Sequence, residues 1–208
     1  MKRILAMGTA AMIVVAGLVT MVGAESASAA LKTATGTITC TTLKGSVTFT
    51  PPLKLVGTPS VTTETAKVTV TAKGCTTSGS NIPIVSKGVA TAKIITTGPG
   101  ANAFTSLMTS KPITFKVLWY KGTAQIAKPS TIMMSGYDIV LGTGGVARFS
   151  FPKASGGSSL VTGGSFAGLT HSSASAYTAL TQAQLGAKAA TSTGLPKVAI
   201  ATGSFSVK

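Results

Sequence analysis

The chain has 208 residues, of which 44% are hydrophobic and only 10% are charged. Intrinsic disorder needs low hydrophobicity and high charge, so this composition excludes a disordered chain and suits a packed domain. The 18 basic and three acidic residues give a formal net charge of +15, which attracts anionic surfaces.

The N-terminal segment has the features of an export signal. A positive start is followed by an apolar stretch over 4–23 and by an Ala-Ser-Ala cleavage box at 27–29. We expect a signal peptide over 1–29 and a single secreted β domain over 30–208. The apolar stretch is also long enough to span a bilayer, so an uncleaved anchor is the alternative.

The mature part opens with segments in which apolar residues alternate with threonine or lysine, a pattern typical of a half-buried sheet. Strands are predicted over 37–42 and 47–50, joined by a hairpin turn at Lys44-Gly45. Another strand is predicted over 66–73, and Gly74-Cys75 is expected to end it.

Further strands are predicted over 88–97, 113–120, 132–141 and 146–151. The second of these shows the clearest alternation, and Trp119 lies on its apolar face. A core position for Trp119 is therefore predicted in preference to an exposed platform for stacking sugars.

The C-terminal part is less regular. Residues 154–165 are compatible with a loop or a short edge strand. Apolar residues recur at helical spacing over 176–190, with Ser175 as the candidate N-cap. The last strand region, 198–207, changes its apolar phase near 202–203, which indicates a β-bulge.

Together these elements predict an all-β fold, an antiparallel β-sandwich or barrel with one short helix in the C-terminal half. Alternating strands of this kind bury one face of the sheet and leave the other face in water. The mature part shows no interdomain linker and no convincing internal repeat.

Cys40 and Cys75 are the only cysteines, and both lie in the exported part. A lone pair in an oxidising compartment usually forms a disulfide, which we predict here, and two free buried thiols are the alternative. A metal site needs more ligands than one histidine and two carboxylates provide, so no metal and no cofactor are predicted.

Glu64, Asp138 and His171 are the only acidic residues and the only histidine of the mature part. A serine hydrolase needs a base beside its nucleophile, and a glycosidase needs two facing carboxylates. We expect solvent or turn positions for Glu64 and Asp138 and a surface loop for His171. No catalytic residue is predicted, and a hydrolase built on these three residues is a minor alternative.

The mature part carries a net charge of +14, from 16 basic and two acidic residues. Specific nucleic-acid readers usually cluster their bases and favour arginine, so nucleic acid is not predicted as a partner. Scattered lysines either keep a threonine-rich sheet soluble or hold the protein against anionic cell-wall or membrane-surface polymers. Besides Arg148, the basic residues are Lys32, Lys44, Lys54, Lys67, Lys73, Lys87, Lys93, Lys111, Lys116, Lys121, Lys128, Lys153, Lys188, Lys197 and Lys208.

Several motifs carry a family resemblance: the segment 39–53, the Gly-Cys pair at 74–75, the strand 115–119 and the glycine-rich segment 163–168. Together they resemble a small secreted protein family of actinobacteria, over the whole mature chain. The resemblance implies export and a β fold, and it brings no catalytic residues. Members of that group often carry further cysteines in the C-terminal half, which this chain lacks.

The predicted function is that of a secreted, non-enzymatic envelope or extracellular protein, structural or ligand-binding. The alternative is a carrier that holds an apolar ligand inside a β-barrel cavity. A large apolar pocket in the structure would favour the carrier, and a filled interior would argue against it.

Overall fold

One antiparallel β-sheet accounts for most of the described chain. In the computed structural model the described residues are 34–108, 113–126, 128–134, 138–141, 145–151, 161–169 and 171–208. The predicted signal peptide over 1–29 lies outside these residues.

The described residues form eleven strands in one sheet, two short α-helices and one 3₁₀ helix over Gly164–Phe166. The strands are β1 (Thr35–Leu53), β2 (Thr63–Ser80), β3 (Lys87–Thr97), β4 (Ile113–Lys121), β5 (Ala124–Gln125), β6 (Ser130–Met134), β7 (Asp138–Leu141), β8 (Val146–Phe151), β9 (Val161–Thr162), β10 (His171–Thr181) and β11 (Leu195–Val207). The helices are α1 (Phe104–Met108) and α2 (Gln182–Ala189). The order across the sheet is β7-β8-β10-β11-β1-β2-β3-β4-β6-β9, and β5 pairs with β4.

The sheet curls so that its two ends approach each other. β6 and β7 lie near opposite ends of the strand order, yet only three residues separate Met134 from Asp138. A link of that length spans at most about 14 Å. The predicted all-β antiparallel fold of the barrel or sandwich type is thus confirmed, but the single strand expected over 132–141 is two strands.

Contacts across the interior show the same curvature. Trp119 on β4 and Phe205 on β11 have three strands between them in the sheet order, but their ring centroids are 6.3 Å apart. In a flat sheet this separation would be roughly 19 Å, because neighbouring strands lie about 4.8 Å apart. The inner face of the sheet therefore packs against itself.

The core position predicted for Trp119 is confirmed. Its side chain is 1% exposed, and its Nε1 donates a hydrogen bond to Ser130 Oγ at 3.2 Å. The ring also packs against Phe166, with 5.1 Å between the centroids. A buried indole needs a partner for its N–H, and the buried serine hydroxyl supplies it.

The hairpin turn predicted at Lys44-Gly45 is wrong, because β1 continues through both residues. Gly45 pairs with Val70 on β2 and with Ile200 on β11. A Cβ atom at this position would lie 2.1 Å from the carbonyl oxygen of Thr69. The glycine is thus required by a close approach of two strands rather than by a turn.

The strand end predicted at Gly74-Cys75 is also wrong, since β2 extends to Ser80. Gly74 has φ +61° within this strand, and its neighbours Lys73 and Cys75 pair with Thr42 and Cys40 of β1. A left-handed backbone conformation that glycine tolerates is thus accommodated without ending the strand.

The helix begins six residues later than the 176–190 prediction, because 176–181 belongs to β10. Ala176 is buried between β8 and β11, so the alanines that fit helical spacing also fit strand alternation. The N-cap is Thr181 rather than Ser175. Its hydroxyl accepts from the N–H of Gln184, while the Gln184 side chain accepts from the N–H of Thr181.

Two smaller expectations near the C-terminus are met in part. Within 154–165 the described residues include the two-residue strand β9, and residues 152–160 lie outside the description. The β10–β11 register shifts between Tyr177↔Thr202 and Thr178↔Ile200, which confirms a bulge close to the predicted position.

Gly45 provides a direct test of the long first strand. We predict that Gly45→Ala lowers the free energy of unfolding by about 1–3 kcal/mol, because the new methyl group meets backbone atoms. Gly186→Ala in α2 is the control, since no atom lies within 4 Å of its added Cβ, and it should stabilise by about 0.5–1 kcal/mol. Urea unfolding of both variants measures this, and a neutral Gly45→Ala would contradict the strand pairing.

Candidate functional site

Cys40 and Cys75 form a disulfide between β1 and β2, as predicted. The two residues are directly opposite in the antiparallel register, and both are buried. The bridge fixes the pairing of the two longest strands, which occupy the middle of the sheet. It is a structural feature, since a buried disulfide has no free thiolate to act as a nucleophile.

His171 and Glu64 lie in distant parts of the sheet. His171 begins β10, so the predicted loop position is wrong. Across the sheet, His171 pairs with Val207 of β11, Val207 pairs with Ile38 of β1, and Ile38 pairs with Thr77 of β2. Thr77 lies 13 residues beyond Glu64 along β2, roughly 40 Å, whereas three strand spacings separate Thr77 from His171, roughly 14 Å. His171 and Glu64 are thus more than about 20 Å apart and cannot exchange a proton directly.

Asp138 begins β7, and four strands separate β7 from β2 in the sheet order. Among the residues that the structure describes, no three His, Cys, Asp or Glu side chains come together in a group that could hold a metal ion. Glu64, Asp138 and His171 therefore lie on three different strands.

Glu64 is buried, in contrast to the solvent or turn position expected from the sequence. Its side chain is 2% exposed, because it lies in the inward-facing phase of β2 that continues through Ala66 and Val68. Thr96 on β3 is its cross-strand partner, which places their Cβ atoms about 5 Å apart. An ionisable group is thus part of the inner face of the sheet.

The curled sheet encloses a cavity of about 100 Å³. Apolar side chains make up most of its wall, including Val68, Ile94, Phe115 and Trp119. The polar side chains in the wall are those of Glu64, Thr96 and Ser106. The interior is therefore neither completely filled nor wide, and its chemistry is mainly apolar.

A seam opens beside this cavity, between β3 and β4. Their ladder runs from Lys87↔Tyr120 to Thr91↔Lys116 and stops there, although both strands continue. Among the described residues, 92–94 pair with β2 alone and 113–115 pair with β6 alone. Two segments of the sheet wall thus run side by side without backbone pairing.

The outer surface at this seam carries an open groove, which we call the lysine groove. Strands β2, β3, β4 and β6, the segment before β6 and Gly163-Gly164 contribute to it, and the described residues of its lining include no acidic and no aromatic side chain. The charged and hydroxyl side chains of the lysine groove are Lys67, Lys93, Lys116, Lys128, Thr69, Thr91, Thr114 and Thr131.

The sheet register brings together lysines that are far apart in sequence. Lys67 and Lys93 are directly opposite each other on β2 and β3, and Lys116 lies opposite Thr91 and Thr131. The fourth groove lysine is Lys128, and all four side chains are exposed. Like charges placed directly opposite on neighbouring strands repel each other, so this arrangement costs stability unless an anion lies nearby.

The cavity and the lysine groove are neighbours through the wall of the sheet. Val68 lines both of them, and Ala92, the first residue of β3 beyond the β3–β4 ladder, lines the groove. At the seam the charged outer surface and the apolar cavity are therefore separated by one layer of sheet, whose cavity side carries Ile94, Ile113 and Phe115.

No protein-family model, curated protein or solved structure matches this chain. The resemblance to secreted actinobacterial proteins consequently stays a prediction, and the groove and the cavity are the features that bear on function. Over the described ranges, none of the helices has both the length and the apolar character needed to cross a membrane.

The disulfide generates a stability prediction. Replacing both cysteines, in Cys40→Ala/Cys75→Ala, should lower the free energy of unfolding by about 3–4 kcal/mol, since the bridge closes a loop of 35 residues in the unfolded chain. Guanidinium unfolding measures the change, and reduction of the parent protein should give a similar loss. A loss below about 1 kcal/mol in both experiments would contradict a stabilising role for the bridge.

Proposed function

We propose that this chain is an exported, non-enzymatic envelope or extracellular protein that binds anionic polymers through the lysine groove. The observation that carries the proposal is the convergence of four exposed lysines on one groove, among whose described lining residues there is no carboxylate. Attraction between such a surface and a polyanion acts over about 8–10 Å at physiological salt, which favours capture from solution.

The groove chemistry suits the mobile phosphate groups of a polymer better than an anion that has to be held in one fixed orientation. Lysine acts as a flexible point charge, in contrast to the planar fork of arginine, and suits a repeating polymer with mobile anionic groups. The threonine hydroxyls between the lysines can donate to phosphate oxygens. Rows of lysine and threonine on neighbouring strands thus offer several equivalent contacts rather than one selective pocket.

Nucleic acid fits this groove less well than a wall or membrane-surface polymer. Proteins that bind single strands usually stack bases on aromatic side chains, and the groove lining contains none. Tyr120, on the same strand as Lys116, is half-buried and has the Lys87 ammonium 4.3 Å from its ring centroid, so its face is already occupied.

Export is supported by the disulfide and by the N-terminal segment. Disulfides form and persist mainly in oxidising compartments outside the cytosol. The Ala-Ser-Ala box at 27–29 gives a route to that compartment. Anionic wall polymers and membrane surfaces with anionic lipid head groups are the multivalent anions that an exported bacterial protein meets there.

The test compares two double variants that lose the same charge. Lys67→Gln/Lys93→Gln removes two groove lysines, and Lys44→Gln/Lys197→Gln removes two exposed lysines on β1 and β11. We expect the groove variant to weaken binding to purified phosphate-bearing cell wall by roughly ten- to thirtyfold, at about 1 kcal/mol per lysine. The control variant should weaken it by less than about threefold.

Binding is measured by co-sedimentation at several salt concentrations, and retention should fall as ionic strength rises. Equal losses in the two variants would show that net charge alone governs binding, which would overturn the assignment to the groove. Retention on the cell wall that does not change with ionic strength would overturn the electrostatic mechanism itself.

A further inference from the structure

We propose that the lysine groove and the cavity together bind a single-chain anionic amphiphile. Its anionic head lies among the groove lysines, and its alkyl tail passes through the β3–β4 seam into the cavity. This inference rests on the proposed function, because the same lysines hold the anion. It adds a defined ligand class, an apolar subsite and a path between the two.

The cavity suits a short alkyl segment. Its wall is almost entirely apolar, and its volume is about 100 Å³. A cavity of about 150 Å³ lined by similar side chains accepts benzene, so this space corresponds to roughly four to six carbon atoms. Each buried methylene should strengthen binding about fourfold until the cavity is filled.

The seam provides the path from the groove to the cavity. Thr91↔Lys116 is the last pair of the β3–β4 ladder, and beyond it Lys93 faces the groove while Ile94 lines the cavity. Val68 borders both spaces. An alkyl chain that enters here crosses a wall in which no backbone hydrogen bond between β3 and β4 has to break.

Charge determines which end of the ligand stays outside. Lys67, Lys93, Lys116 and Lys128 surround the groove, so an anionic head is attracted there and remains in water. Glu64 lies four residues from Val68 along β2, about 13 Å. The head is thus separated from the one carboxyl group of the cavity wall.

Trp119 offers a direct readout, because it lines the cavity and is the only tryptophan of the chain. The probes are inorganic phosphate and the monoethyl, monobutyl, monohexyl and monooctyl phosphates, titrated into the purified protein by calorimetry. We expect roughly fifteenfold tighter binding for each added pair of carbons up to about six, and little gain beyond. The 6-bromohexyl phosphate should quench the fluorescence of Trp119, because bromine quenches at short range.

Two pairs of variants separate the head from the tail. Lys67→Gln/Lys93→Gln should weaken every alkyl phosphate equally, and Lys44→Gln/Lys197→Gln should not. Ala90→Leu, at a position that lines the cavity and not the lysine groove, fills part of the cavity and should abolish both the chain-length dependence and the bromine quenching while retaining polymer binding. Ala199→Leu, at an exposed position on β11 outside both spaces, should retain all of them, and the thermal unfolding midpoint confirms that each variant is folded.

Each of the remaining outcomes contradicts one part of the proposal. Affinity that is independent of chain length, with no bromine quenching in the parent protein, overturns tail insertion and leaves polymer binding at the groove standing. Alkyl-phosphate affinities that are unchanged in Lys67→Gln/Lys93→Gln overturn the placement of the head. Absence of binding to every phosphate and to the cell wall overturns the ligand and the proposed function together. The quenching measurement needs no variant, so an unfolded Ala90→Leu protein does not prevent the test.

Discussion

The structure depends on one constraint: a single sheet with an apolar face has to cover that face with itself. Alternation along β1, β2, β4 and β11 directs apolar side chains to one side, and neither short helix is large enough to cover them. Burial of apolar surface is the main driving force of folding. The sheet therefore curls until Trp119 meets Phe205 and Phe166 across the interior.

The same periodicity determines the outer surface. Residues between the buried positions face water, and in this chain they are mostly threonine and lysine. Lysines that look evenly dispersed in the sequence become neighbours once β2, β3, β4 and β6 are in register. Where the β3–β4 ladder stops, this charged surface and the apolar interior are separated by one layer of sheet. The two proposed binding functions follow from that juxtaposition.

Much of the fold was predictable, because local alternation is strong in β4 and because a lone cysteine pair in a chain with a predicted export signal is expected to form a disulfide. The failures have specific causes. Gly45 resembles a turn residue, and only the approach of β2 reveals why it is glycine. Alanines near 176 satisfy both the helical and the strand period. Glu64 was expected in solvent, although extending the phase of Ala66 and Val68 by two residues places it inside.

The lysine groove was beyond prediction from the sequence, because no local pattern specifies which strands become neighbours. The most direct test of the account is therefore a measurement of the curl itself. Nuclear Overhauser effects between the ring protons of Trp119 and Phe205 should be observed in solution, because their ring centroids are 6.3 Å apart. Their absence, together with solvent-exposed emission from Trp119, would contradict a sheet that closes on its own apolar face.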